Sequence, residues 1–126
     1  MATVKQLLAK IQKTHDQRAS VVKQLRKEQA ALKKAGISYG SPHYKQGKYL
    51  RIVKPSKAGE KRGFDYIGAD PEKQQAALDA LERGRQYDEL EEQAQAVQAS
   101  MAALENSLSH VVRELEWSQK AAAGSW

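Results

Sequence analysis

Between Ala2 and Ala35 the chain carries no proline or glycine, and Val4, Leu7, Leu8, Ile11, Val21, Val22, Leu25 and Leu32 recur at three- and four-residue steps. That spacing lines one face of an α-helix, so an amphipathic helix is predicted over 1–35. Gly36 is expected to close it, because glycine adopts the left-handed conformation common just beyond a helix, and Lys33 and Lys34 suit the negative end of the dipole. Thr14, His15 and Arg18 interrupt the stripe. The simplest account is a solvated or locally paired stretch in a helical seam, where polar residues set register or partner number.

Residues 36–47, GISYGSPHYKQG, have the glycine, serine and proline content of a loop. KYLRIVK (48–54) and RGFDYIG (62–68) are rich in β-branched and aromatic residues and flank the turn-like PSKAGEK, which predicts a two-stranded β-hairpin. Leu50, Ile52 and Ile67 are candidates for one face, and Tyr49, Arg51 and Tyr66 for the other. A hairpin of two strands is marginal in water, so it is expected to pack on the helices or on a partner.

Asp70-Pro71 starts a second helix: a capping side chain, then a proline where its missing N–H is harmless, with Glu72 near the positive end. Gly84 is expected to kink or weaken this helix. Beyond it Tyr87, Leu90, Ala94, Val97, Met101, Leu104, Leu108, Val111 and Leu115 alternate steps of three and four, the heptad seam of a coiled coil. The last residues, AAAGSW, are expected to fray.

The fold class that follows is mainly α: two long helices forming an antiparallel coiled-coil hairpin with a two-stranded β-hairpin between them. Residues 1–126 are expected to make one elongated domain, divided into a basic helix (1–35), a basic hairpin insertion (36–69) and an acidic coiled-coil helix (70–120). Laid alongside from the hairpin end, the first helix reaches only to about residue 104 of the second. Leu108, Val111, Val112, Leu115 and Trp117 would then project uncovered, and homodimerisation is the commonest way to cover such a stripe. The alternative is that Gly84 bends the helix and the chain covers itself.

The chain has no cysteine, which removes disulfides and thiolate metal sites, and its three histidines, His15, His43 and His110, lie far apart. No metal and no other cofactor is expected. The start, MATVKQLLAKIQK, alternates apolar and basic residues at helical spacing, unlike a signal peptide or a membrane span, so a cytoplasmic protein is expected. The net charge of +6 is unevenly spread. Residues 1–41 carry nine Lys/Arg against two acids, 42–69 seven against two, and 70–126 five against eleven. The first helix is therefore expected to spend much of its charge on the second, leaving the middle as the positive region least neutralised.

No nucleophile, base and orienting group stand together. Asp65 and Asp79 are isolated, and the carboxylates of DELEE (88–92) sit on a helix face that would not shift their pKa values apart. Gly36 and Gly40 before Ser41 lack the Gly-Lys-Ser/Thr ending of a phosphate loop. An enzyme is not expected. The hairpin is the better candidate: Tyr39, Tyr44, Tyr49, Phe64 and Tyr66 interleave with basic residues, a mixture that neutralises phosphates and stacks on bases or sugars. The expected nucleic-acid site is Lys45, Lys48, Tyr49, Arg51, Lys54, Lys57, Lys61 and Arg62, with DNA favoured over RNA. Against it stands the plainer account, in which the tyrosines pack the hairpin and the lysines guard strand edges. The competing function is a protein-binding adaptor or inhibitor of a host or defence complex that docks through its helical surface.

The stretch from SPHYKQGKYLRIVK through KRGFDYIGADPEKQQAALDALERGRQYDELEEQ resembles a pattern in small uncharacterised bacterial proteins often encoded on mobile elements. Their Tyr-rich hairpin ends in an aromatic-Ile-Gly turn, here Tyr66, Ile67 and Gly68, and enters a helix begun by Pro-Glu, here Pro71 and Glu72. An ERxRxxxEL-like coil follows, matched by Glu82, Arg83, Arg85, Glu89 and Leu90. The resemblance covers about half the chain. It implies a plasmid, phage or transposon setting and carries over no catalytic residue. Where such sequences carry cysteines ahead of the hairpin this one has none, so no metal role is carried over.

Overall fold

The structure, a computed structural model, describes residues 1–56 and 63–124. It is mainly helical: α1 (Val4–Ala35), β1 (Ser41–Lys45), β2 (Tyr49–Val53), β3 (Phe64–Gly68) and α2 (Pro71–Gly124) follow in that order. The strands form one antiparallel sheet, ordered β1-β2-β3, between the two helices in sequence.

The helix ends follow from local chemistry. Thr3 and Gln6 cap α1 reciprocally: the Thr3 N–H donates to Gln6 Oε1 at 2.9 Å and the Gln6 N–H to Thr3 Oγ1 at 3.2 Å. This capping box satisfies donors that a helix start leaves orphaned. Gly36 closes α1 at φ 104°, its N–H reaching the Leu32 carbonyl at 3.1 Å. Asp70 caps α2, accepting from the Glu72 N–H at 3.2 Å, and α2 runs through Gly84 to Gly124 without interruption.

The sheet has three strands, not two. The segment expected to be a loop supplies β1, which pairs with β2 from Ser41 opposite Val53 to Lys45 opposite Tyr49. Two consecutive residues with positive φ, Gln46 and Gly47, turn the chain, and the Lys48 N–H closes the turn on the Lys45 carbonyl at 3.2 Å. β1 was hidden because SPHYK shows no apolar alternation: all five residues are exposed. As an edge strand it also tolerates Pro42, whose missing N–H would break a central one. The turn between β2 and β3 falls partly on residues 57–62, outside the described residues.

Two compact units divide the chain: a sheet unit, residues 25–92, and a helical unit, residues 1–24 with 93–126. In the sheet unit the link from α1 to β1 crosses α2 closely. The Ser38 N–H donates to the Ala80 carbonyl at 3.0 Å, and Arg83 Nε donates to the Gly36 carbonyl at 2.6 Å. Gly84 is buried under this crossing, and a Cβ there would collide with the Ser38 carbonyl. Whatever Gly84 does to the course of the helix, its missing side chain is what lets the backbone pass.

The crossing also corrects the expected helix register. The C-terminal end of α1 lies beside Arg83, so the turns of α2 before it serve the sheet instead of α1. Gln74 joins sheet to helix there, Nε2 donating to the carbonyls of Lys48 (2.9 Å) and Gly68 (2.7 Å). Leu50 and Ile52, 0% and 2% exposed, form the apolar centre of this unit. Burying two such side chains contributes about 1.5–3 kcal/mol each.

In the helical unit Ala94 is fully buried, and Val97, Met101, Leu104 and Leu108 are half-buried, while the residues between them are exposed except Ser100. On α1 the half-buried positions are Ile11, Thr14, His15, Arg18 and Val22. The residues that interrupt the apolar stripe therefore lie on its covered side, where His15 Nε2 meets Glu105 Oε1 at 3.2 Å. Residues 109–120 are all exposed, and Val111, Val112, Leu115 and Trp117 are half or more exposed.

Replacing Gly84 with alanine tests the crossing by its sign. At an open helix position Gly→Ala stabilises by roughly 0.5–1 kcal/mol. Here denaturation in urea is expected to show a loss of about 1–3 kcal/mol, as for an overpacked contact. A gain would remove the crossing as a constraint on the fold.

Candidate nucleic-acid interface

β2 alternates buried and open positions, with Leu50 and Ile52 inward and Arg51 exposed between them. Residues directly opposite in an antiparallel pair share a face. The register therefore places His43 and Tyr66 either side of Arg51, and Ser41 and Phe64 either side of Val53. Lys45, opposite Tyr49, belongs to the same outer face. A register shift at Leu50/Arg51 skips Ile67, which is half-buried. Such bulges re-aim side chains, and this one keeps Tyr66 and Phe64 on the Arg51 side.

Phe64 and Tyr66 are 56% and 72% exposed. The Arg51 guanidinium lies 4.8 Å from the centre of the Phe64 ring, and Lys48 Nζ lies 5.7 Å from that of Tyr49. Both are cation–π distances, worth about 0.5–1 kcal/mol at exposed sites. Among the described residues Lys45, Lys48 and Arg51 form no ion pair, whereas Lys54 Nζ pairs with Asp65 at 3.3 Å.

Of the expected site, Lys45, Lys48, Tyr49 and Arg51 are thus brought together. Lys54 is engaged with Asp65, and Lys57, Lys61 and Arg62 lie outside the described residues. Sequence reasoning missed His43, because it had no strand for β1, and left Phe64 and Tyr66 out of the site. The visible signal for β1 was the Gln46-Gly47 pair between Tyr44 and Tyr49.

The other tyrosines are placed differently. Tyr44 is opposite Leu50, on the inward side. Tyr39 donates its hydroxyl to Asp88 Oδ1 at 2.9 Å. Desolvation first, and then this carboxylate, raise its pKa above the ordinary 10.0. With Pro42, Leu78, Leu81 and Arg85, Tyr39 and Asp88 line an open cleft of about 470 Å3.

The acidic run of α2 does not chiefly neutralise α1. Asp88 goes to Tyr39, and Arg85 engages both Glu82 and Glu89 on its own helix, the hydrogen bond from Arg85 holding the Glu82 carboxyl below its usual range. Glu91 alone of this run pairs with a basic residue of α1, Arg26. Gln29, 3% exposed, completes that cluster: Oε1 accepts from Arg26 at 2.8 Å, and Nε2 donates to Glu91 at 2.9 Å and to the Tyr87 carbonyl at 3.2 Å. Its polar atoms are satisfied, the condition for a buried polar group that fixes register without destabilising. The lysines of α1 form no ion pair among the described residues. The expectation that α1 spends its charge on α2 is therefore corrected.

Among the described residues no three His, Asp or Glu side chains converge as metal ligands, and no helix is long and apolar enough to cross a membrane. Comparison of the chain with protein-family models, curated proteins and solved structures returned no match.

The Tyr39 contact has a pH signature. Its raised folded-state pKa favours the neutral phenol, so its contribution to stability is full below the unfolded value near 10 and is lost as pH rises from there through the higher folded-state value. In Asp88→Asn, titration of tyrosinate absorbance is expected to show one tyrosine returning toward the ordinary value. An unchanged titration would mean that the Asp88 contact is not made in solution.

Proposed function

We propose that the chain is a non-enzymatic nucleic-acid-binding accessory protein that uses the outer face of its sheet, with DNA as the favoured ligand. The observation that carries this reading is the joint exposure of Phe64 and Tyr66 beside Arg51, Lys45 and Lys48, none of these cations being ion-paired among the described residues. Cations release counterions from phosphates, and aromatic faces accept bases or sugars. The resemblance of residues 41–93 to mobile-element proteins suits an accessory role and favours DNA over RNA.

In this proposal α1 and α2 pair as an antiparallel coiled-coil hairpin. Its support within the sheet unit is that Gln29 and Arg26 meet Tyr87 and Glu91 in reverse order along the chain. Within the helical unit it is the heptad spacing of the covered positions from Ala94 to Leu108. The exposed Val111, Val112, Leu115 and Trp117, with Val4, Leu7 and Leu8, favour homodimerisation through the helical unit. The second reading, a protein-binding adaptor or inhibitor, draws on the same apolar residues and needs no nucleic acid.

Binding to labelled oligonucleotides over a salt series tests the first reading. Lys45→Gln, Lys48→Gln and Arg51→Gln are each expected to flatten the slope of log K against log salt, by roughly 0.9 for duplex and 0.7 for single strands. Lys23→Gln on α1 is expected to leave it unchanged. The reverse pattern would move the site to the helix. Sedimentation is expected to give a dimer at micromolar concentration that Leu115→Glu dissociates; a wild-type monomer would leave the apolar residues to a different protein.

A further inference from the structure

We propose that the outer face of the sheet binds single-stranded nucleic acid by stacking unpaired bases on Phe64 and Tyr66, with Arg51 and Lys45 on the adjoining phosphates. This rests on the nucleic-acid reading above and narrows it to one class of ligand.

The first ground is the cost of the surface. Two large aromatic rings on neighbouring same-face positions of β3 stay more than half exposed, although the opposite face of the same sheet buries Leu50 and Ile52 almost completely. Scattered exposed apolar residues need no explanation, but two rings side by side on one face of a strand form a platform. Arg51, over Phe64 and paired across the strands with Tyr66, keeps both rings beside a positive charge. A cationic aromatic surface of that kind attracts a polyanion whose bases have open π-faces.

The second ground is spacing. Phe64 and Tyr66 are two residues apart on one strand, hence about 7 Å apart at a rise of about 3.4 Å per residue. Successive bases in a duplex are about 3.4 Å apart along each strand. Adjacent bases reach both rings only where the strand is extended and unstacked. In a duplex the base faces are covered by their neighbours, and exposing them costs a few kcal/mol per step. A duplex offers its base edges instead, which are read by hydrogen-bonding groups. Phe64 has no such group.

Fluorescence anisotropy of the full-length protein distinguishes the cases, with a labelled single-stranded DNA, a single-stranded RNA and a DNA duplex of equal length. Either single strand is expected to bind more tightly than the duplex. Phe64→Leu and Tyr66→Leu keep an apolar side chain at an exposed site. Each is expected to weaken single-strand binding roughly 5- to 150-fold while leaving the salt slope unchanged. Photo-crosslinking of wild-type protein to the single strand is expected to mark Phe64 or Tyr66, which tests the contact without relying on a variant. Tighter binding of the duplex, unchanged affinity in both leucine variants, or crosslinks confined to α1 would overturn stacking while leaving nucleic-acid binding in place. No binding to any of the three at low salt would overturn the nucleic-acid reading itself.

Discussion

The crossing of residues 36–40 over α2 at Gly84 sets the arrangement of the sheet unit. Two hydrogen bonds hold it, from the Ser38 N–H to the Ala80 carbonyl and from Arg83 to the Gly36 carbonyl, and the absence of a side chain at Gly84 lets the backbones meet. Because the chain leaves α1 at this point, the turns of α2 before Arg83 are left for the sheet. Gln74 then ties the start of β2 and the end of β3 to that part of the helix. The first strand begins immediately beyond the crossing, so its pairing with β2 depends on the same contact.

With so little apolar burial, polar contacts carry a large share of the specification. Leu50, Ile52 and Ala94 are the only fully buried apolar residues among those described. A core of that size contributes a few kcal/mol, comparable with the cost of misplacing one or two buried polar groups. Gln29 is such a group, and its two partners on α2, the Tyr87 carbonyl and Glu91, are met together in the observed register within the sheet unit. Arg83 and Gln74 do the same for backbone carbonyls. The fold is selected by satisfaction of hydrogen bonds as much as by packing.

Charge is partitioned locally, and this shapes what the surface can bind. Arg85 holds Glu82 and Glu89 on its own helix, Tyr39 holds Asp88, and Lys54 holds Asp65. The carboxylates near the sheet are thus engaged close to home, and the outer face keeps Arg51, Lys45 and Lys48 beside Phe64 and Tyr66. That combination of cations and exposed rings on one face is the ground of the proposed nucleic-acid binding.

The pattern along the chain determined both helices, the caps at Gly36 and Asp70, the strand character of residues 49–53 and 64–68, and the heptad positions covered from Ala94 to Leu108, because these depend on local periodicity and on side chains next to the backbone they satisfy. It also placed Lys45, Lys48, Tyr49 and Arg51 in one candidate site. Tertiary structure decided that SPHYK is a strand, since an exposed edge strand takes its conformation from the neighbour it pairs with and leaves no alternation to detect, only the Gln46-Gly47 turn that follows it. It decided the use of Gly84, whose value lies in a contact with Ser38, distant in sequence. It decided, too, where the charges go. Net charge summed by segment pairs helix with helix, whereas carboxylates take the nearest donor: within the DELEE run Glu89 finds it on the same helix, Asp88 on the crossing chain and Glu91 on α1.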